Sequence, residues 1–152
     1  MATLSWLTAR AEIATIITGV AITAPVSATI LKVFETQPAE VPGDMPCVII
    51  LGAEKSLDRS SALRRREYIA HLRLVVEDAD LGRAADILDA FQEAINDRFD
   101  ANVTLNGKVT GLVGPDWELP DAATQSDVGG QSRQAVDGKV TFFMYDDPAF
   151  AA

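Results

Sequence analysis

Tyr68-Ile69-Ala70-His71-Leu72-Arg73-Leu74-Val75-Val76 is the stretch that decides the fold. Successive side chains of an extended chain point to opposite faces. Strict alternation therefore places Tyr68, Ala70, Leu72, Leu74 and Val76 on one face of a strand, and Ile69, His71, Arg73 and Val75 on the other. Upstream, Cys47 to Leu51 is a continuous apolar run, which predicts a central strand. A polar interval from Glu54 to Glu67 separates the two, so they read as a long antiparallel hairpin with its tip at Lys55 to Arg66. Downstream, Glu77-Asp78-Ala79-Asp80 offers N-cap candidates and negative charge where a helix dipole favours it. Leu81, Ala84, Leu88, Phe91, Ile95 and Phe99 then recur at helical spacing, with Asp86, Asp89, Glu93 and Asp97 mainly on the wet side. This helix should bury its stripe on the sheet.

The flanks complete the plan. Leu4, Leu7, Ala11, Ala14 and Ile17, widened by Ile13 and Ile16, predict an N-terminal helix stopped near Gly19, and Pro25 prevents its continuation. Thr29-Ile30-Leu31-Lys32-Val33-Phe34 reads as a short strand, and Gln37 to Pro46, with three prolines and one glycine, as an irregular crossing. Asn106-Gly107 is a turn signal between the second helix and two further strands, Val109 to Leu119 and Val136 to Tyr145. Asp121 to Ala135, rich in small polar residues around Gly129-Gly130, reads as a long loop, and loops of that length commonly bind a partner or stay mobile. The expected fold is a single α+β domain over residues 1–152 with two layers. It has an antiparallel, mainly four-stranded sheet, two helices packed on one face, and long hairpin loops.

Composition agrees with one globular domain: 152 residues, 48% hydrophobic and 23% charged. Thirteen basic against 22 acidic residues leave a net charge of −9, which disfavours generic nucleic-acid binding. Cys47 stands alone and reads as an inert thiol entering a buried strand. Ile13 to Leu31 carries no charge and is long enough to span a bilayer, but its threonines, Gly19 and Pro25 favour helix, turn and strand. The expectation is a soluble cytoplasmic product with no membrane partner.

Catalytic signatures are missing from the sequence. His71 is the only histidine, sits mid-strand, and has no cysteine near it, so a hydrogen-bonded sheet histidine is the expected role. Ser60 and Ser61 are not on a nucleophile elbow, and no Walker loop, dinucleotide fingerprint or zinc spacing occurs. Glu77-Asp78 and Asp146-Asp147 lack the alternating oxygen ligands of a calcium loop. The expectation is no enzyme, no cofactor and no metal.

The one concentrated feature is basic. Arg59, Arg64, Arg65, Arg66 and Arg73 are five of the 13 basic residues, within 15 positions. They read either as a solvated hairpin tip whose charges guard a strand edge, or as an arm that docks on an acidic partner. No aromatic residue lies between Lys55 and Arg66 to stack bases. The interface candidates are Arg59, Arg64, Arg65 and Arg66 on this arm, with Asp121, Gln125, Asp127, Gln131 and Arg133 on the later loop.

The order of elements resembles the tail-terminator family of long-tailed bacteriophages, over nearly the whole chain. The likeness lies in the N-terminal amphipathic helix, the Pro-rich crossing into Pro46-Cys47-Val48-Ile49-Ile50-Leu51, and the charged hairpin tip. It continues through Arg66-Glu67-Tyr68 to Val76, the helix Leu81 to Phe99, and Val140-Thr141-Phe142-Phe143-Met144-Tyr145. These are patterns of elements, not a signature motif, and head–tail joining and tail-completion proteins share a similar plan. The resemblance implies a virion subunit at the head-proximal end of the tail, made in the host cytoplasm. It would close with itself into a ring, typically a hexamer, that caps the tail tube protein, stops tube polymerisation and docks to a head connector or neck protein. DNA would pass through the acidic lumen without sequence-specific binding. Two other classes stay open: a non-phage adaptor that binds one partner, and a small-molecule-binding α+β domain with a pocket near His71.

Overall fold

The computed structural model describes residues 6–36, 46–58, 64–77, 81–105, 107, 109–118, 126–128 and 131–146. Helix α1 (Trp6–Ile17) leads into a two-stranded ladder, β1 (Ala21–Ile22) and β2 (Ala28–Thr29), then β3 (Lys32–Phe34). The long pair β4 (Cys47–Asp58) and β5 (Arg64–Glu77) follows, then α2 (Leu81–Asp100), β6 (Gly111–Trp117), β7 (Ser126–Val128) and β8 (Gln131–Asp146). The main sheet has six strands in the order β3-β4-β5-β8-β6, with β7 on the early part of β8. Both helices pack on one face, so the architecture is the expected two-layer α+β fold.

Alternation in β5 divides the faces as its sequence predicts. Tyr68, Ala70, Leu72, Leu74 and Val76 are buried beneath the helices, while Ile69, His71 and Arg73 are only half-buried opposite. Val48 and Ile50 from β4 and Val136, Val140 and Phe142 from β8 extend the core. From above, α1 contributes Ala9, Ile13, Ile16 and Ile17, and α2 contributes Ala84, Ile87, Leu88, Phe91, Ile95 and Phe99. Each fully buried Leu, Ile or Phe stabilises by about 1.5–3 kcal/mol relative to exposure. Helix α1 stops at Ile17 because Gly19 takes a left-handed φ of 89°, donating its N–H to Ile30 O at 2.7 Å.

Several expectations are corrected. The sheet is not four-stranded and not wholly antiparallel: β3 runs parallel to β4, with Val33 opposite Val48. The strand expected over Thr29 to Phe34 is two strands, because buried Ile30 and exposed Leu31 turn the chain from the small ladder onto the main sheet. The hairpin tip is shorter than Lys55 to Arg66, since pairing persists to Asp58 opposite Arg65. Backbone hydrogen bonding there is indifferent to side-chain polarity, so a polar stretch continues the ladder. The expected loop Asp121 to Ala135 contains β7 and the start of β8, in register from Val128–Gln131 to Ser126–Arg133. Gly129-Gly130, between them in sequence, is a pair that two-residue hairpins favour. Residues 78–80 of the expected N-cap lie outside the described residues.

No helix among the described residues is long and apolar enough to cross a membrane. The uncharged stretch Ile13 to Leu31 is shared by α1, a turn and the small ladder.

Candidate functional site

Among the described residues the sheet outruns the helices. At about 3.3 Å per residue the 14 residues of β5 span about 46 Å, whereas the 20 residues of α2 span about 30 Å. Trp6, the first described residue of α1, stacks on Phe142 with ring centroids 6.4 Å apart. Tyr68 stacks on the same ring at 5.3 Å. Beyond this aromatic group the paired ends of β4 and β5 continue, and the basic arm lies there.

A bulge decides what this end presents. Ile50 pairs with Leu72 facing the core, but the register shifts before Gly52, which pairs with His71. Gly52 has a φ of 143°, a conformation that L side chains rarely adopt, and Leu51 is left 37% exposed. The extra residue inverts the alternation. Ala53, Lys55 and Leu57 therefore share the helix-side face with Ala70, Tyr68 and Arg66, while Glu54 and Ser56 turn outward. Lys55, Leu57, Arg66 and Tyr68 of the helix-side face, with Ser56 between the first two in sequence, line an open concavity of about 250 Å³. Its lining combines Leu57, 40% exposed, and Tyr68 with the cationic side chains of Lys55 and Arg66.

The outward face is different. The guanidinium of Arg65 lies 4.9 Å from the centroid of Phe143 and pairs with Glu67 at 3.2 Å. Further along, Arg73 donates from Nε to Asp137 Oδ1 at 2.8 Å and from Nη2 to Oδ2 at 3.2 Å. The hydrogen bond to Asp137 raises the Arg73 pKa; burial opposes this and charge attraction adds to it. His71 Nε2 lies 3.1 Å from Glu54 Oε2, the hydrogen-bonded sheet role expected of it. Cys47, Ile49 and Val75 form a small buried cluster on this face with Phe34 and Ala135.

Strand alternation thus splits the basic arm. Arg65 and Arg73 belong to the outward face and are held by Phe143, Glu67 and Asp137, while Arg66 faces the helix side. Arg64 begins β5 opposite Asp146. Arg59, Asp121 and Gln125 lie outside the described residues. Asp127, Gln131 and Arg133 are brought together by the β7–β8 pairing, with Asp127 opposite Ser132, at the opposite end of β8 from Arg64. The described loop candidates and the described arm residues therefore lie in two separate regions. The sequence reading missed Lys55, Leu57 and Tyr68; the alternation of Lys55-Ser56-Leu57 was the available signal.

A second charged surface lies on α2. Asp86, Asp89, Glu93, Asp97 and Asp100 are exposed and recur at three- or four-residue steps, opposite the buried stripe. None of the five has an ion-pair partner among the described residues. Among the described residues no three His, Cys, Asp or Glu side chains converge as metal ligands. The hairpin end and the helix ridge are thus two surfaces of opposite charge.

A scan against protein-family models finds no match to this chain, and a search of curated proteins finds none either.

Proposed function

We propose that this chain is a structural assembly subunit that closes into a ring, of the tail-terminator kind its element order resembles. The observation that carries the reading is the overreach of the sheet. The ends of β4 and β5 continue past the described helices and present a cationic, partly apolar concavity at Lys55, Leu57, Arg66 and Tyr68. A projecting hairpin with such a surface suits a heterologous contact, in which one patch of a subunit meets a different patch of the next and rotation closes a ring. The −9 net charge suits a lumen that DNA traverses without adhering. In this reading bound subunits occupy the end to which the next tube ring would add, and the opposite side meets a head connector.

The test is mass by light scattering across concentration, with negative-stain imaging in the presence of purified tail tubes. Closed rings, or density capping tube ends, are the expected result. A monodisperse monomer that leaves tube ends bare refutes the reading and favours a one-partner adaptor.

A further inference from the structure

We infer that the bulge at Leu51 and Gly52 is the device that decides which side chains the hairpin end brings to assembly. Its consequence for association rests on the ring reading; its control of register is independent of that reading. Ile50 opposes Leu72 on the core side, and beyond the bulge Ala53 opposes Ala70 and Lys55 opposes Tyr68 on that same side. Ile50 and Ala53 are three residues apart, a step that in an unbroken strand carries side chains to opposite faces. They share a face because Leu51 stands outside the pairing. The phase is visible on both sides of the sheet. Outward, Glu54 Oε2 lies 3.1 Å from His71 Nε2; on the helix side, Lys55 and Leu57 line one concavity with Arg66 and Tyr68.

Burial holds the phase of β4 before the bulge, where Val48 and Ile50 are in the core. It does little beyond, because Glu54, Lys55, Ser56 and Leu57 are all exposed. A strand without a buried face has a weakly specified register, so the bulge itself must fix the distal phase. Gly52 is suited to that task. Its φ is 143°, and a Cβ there would meet nothing within 4 Å, so backbone conformation and not space demands glycine. A β-branched residue is strained at such a φ and opposes the bulge. With the bulge suppressed and the chain length unchanged, β4 pairs one residue out of step. Glu54 then opposes Tyr68, Ser56 opposes Arg66, and Lys55 and Leu57 turn outward. One residue of register therefore exchanges a lysine and a leucine for a glutamate and a serine, the re-aiming for which bulges are retained.

The experiment compares Gly52→Val, deletion of Leu51, and the two changes combined. Nuclear Overhauser contacts to the Tyr68 ring read the register, and sedimentation velocity reads association. In the native chain Lys55 should contact Tyr68. Gly52→Val should lose that contact, to Glu54 or to no ordered neighbour, and associate at least about tenfold more weakly. Deletion of Leu51 removes the supernumerary residue and leaves Ala53 opposite Ala70, so the Lys55 contact and the association should persist. Gly52→Val placed in that deletion should be tolerated, because the valine then stands in a plain ladder opposite His71. Retention of the Lys55 contact in Gly52→Val alone overturns the inference, as does its loss in the deletion. A Gly52→Val chain that unfolds and is not recovered by the deletion overturns it as well. If the register moves as expected but association is unchanged, the hairpin phase does not direct assembly, and the ring reading stands on other contacts. A native chain that stays monomeric at every concentration overturns the ring reading and the assembly role with it.

Discussion

Gly138→Ala probes the joint between β6 and the helical layer. Gly138 is buried opposite Trp117, and a Cβ built there would lie 2.5 Å from Cε3, 2.8 Å from Cζ3 and 2.9 Å from Cδ2 of the indole. The ring fills the space a side chain would take, so adding one methyl must displace it. Trp117 is not free to move without loss, because its Nε1 donates to Asn96 Oδ1 on α2 at 2.9 Å. Overpacking of this kind costs about 1–3 kcal/mol, and a weakened indole hydrogen bond adds about 1 kcal/mol. Alanine recovers about 0.5–1 kcal/mol through the backbone freedom glycine loses on folding. The net expectation is a destabilisation of about 1–3 kcal/mol. Urea unfolding followed by circular dichroism measures it, in the native background and with Trp117→Ala. Without the indole the methyl loses its three nearest contacts, so Gly138→Ala should become neutral or slightly stabilising there, with a coupling of at least about 1 kcal/mol. Equal cost in both backgrounds would refute the reasoning, since the penalty would then arise from the strand itself.

Two further outcomes follow from the outward face and the arm. A double-mutant cycle on Arg73→Ala and Asp137→Ala should return about 0.5–1 kcal/mol, as for a well-aligned but partly exposed pair, and shrink in 1 M salt as screening shortens to about 3 Å. Because Asp137 raises the Arg73 pKa, that side chain's contribution is complete below the ordinary arginine range and lost only above it. The coupling should accordingly not fall between pH 7 and pH 9, and a decline there would contradict the assignment. Replacing Arg64, Arg65 and Arg66 by glutamine should weaken assembly while the fold persists, at a cost of about 0.5–1 kcal/mol for the lost Arg65–Phe143 contact; normal ring formation and tube capping by the folded triple variant would remove the arm from the interface.

What the sequence determined by itself is periodicity. The alternation from Tyr68 to Val76 and the three-to-four spacing from Ala84 to Phe99 each bury one side of their element, as read. A side chain's face follows from its own position once strand or helix is given, so these elements and the two-layer plan were legible without the tertiary structure. Their pairing was not. Polar Lys55 to Asp58 prolongs β4 because β5 supplies hydrogen-bond partners along its length, and β3 lies parallel on β4 because the core takes Val33 beside Val48. The surface at the hairpin end was decided by one residue of register. With Leu51 displaced and Gly52 at positive φ, Lys55 and Leu57 join Tyr68 on the helix side; without that bulge, Glu54 and Ser56 would stand there. A local pattern carries the period of a strand but not a phase shift imposed by its neighbour, and the phase set the charge of the candidate interface.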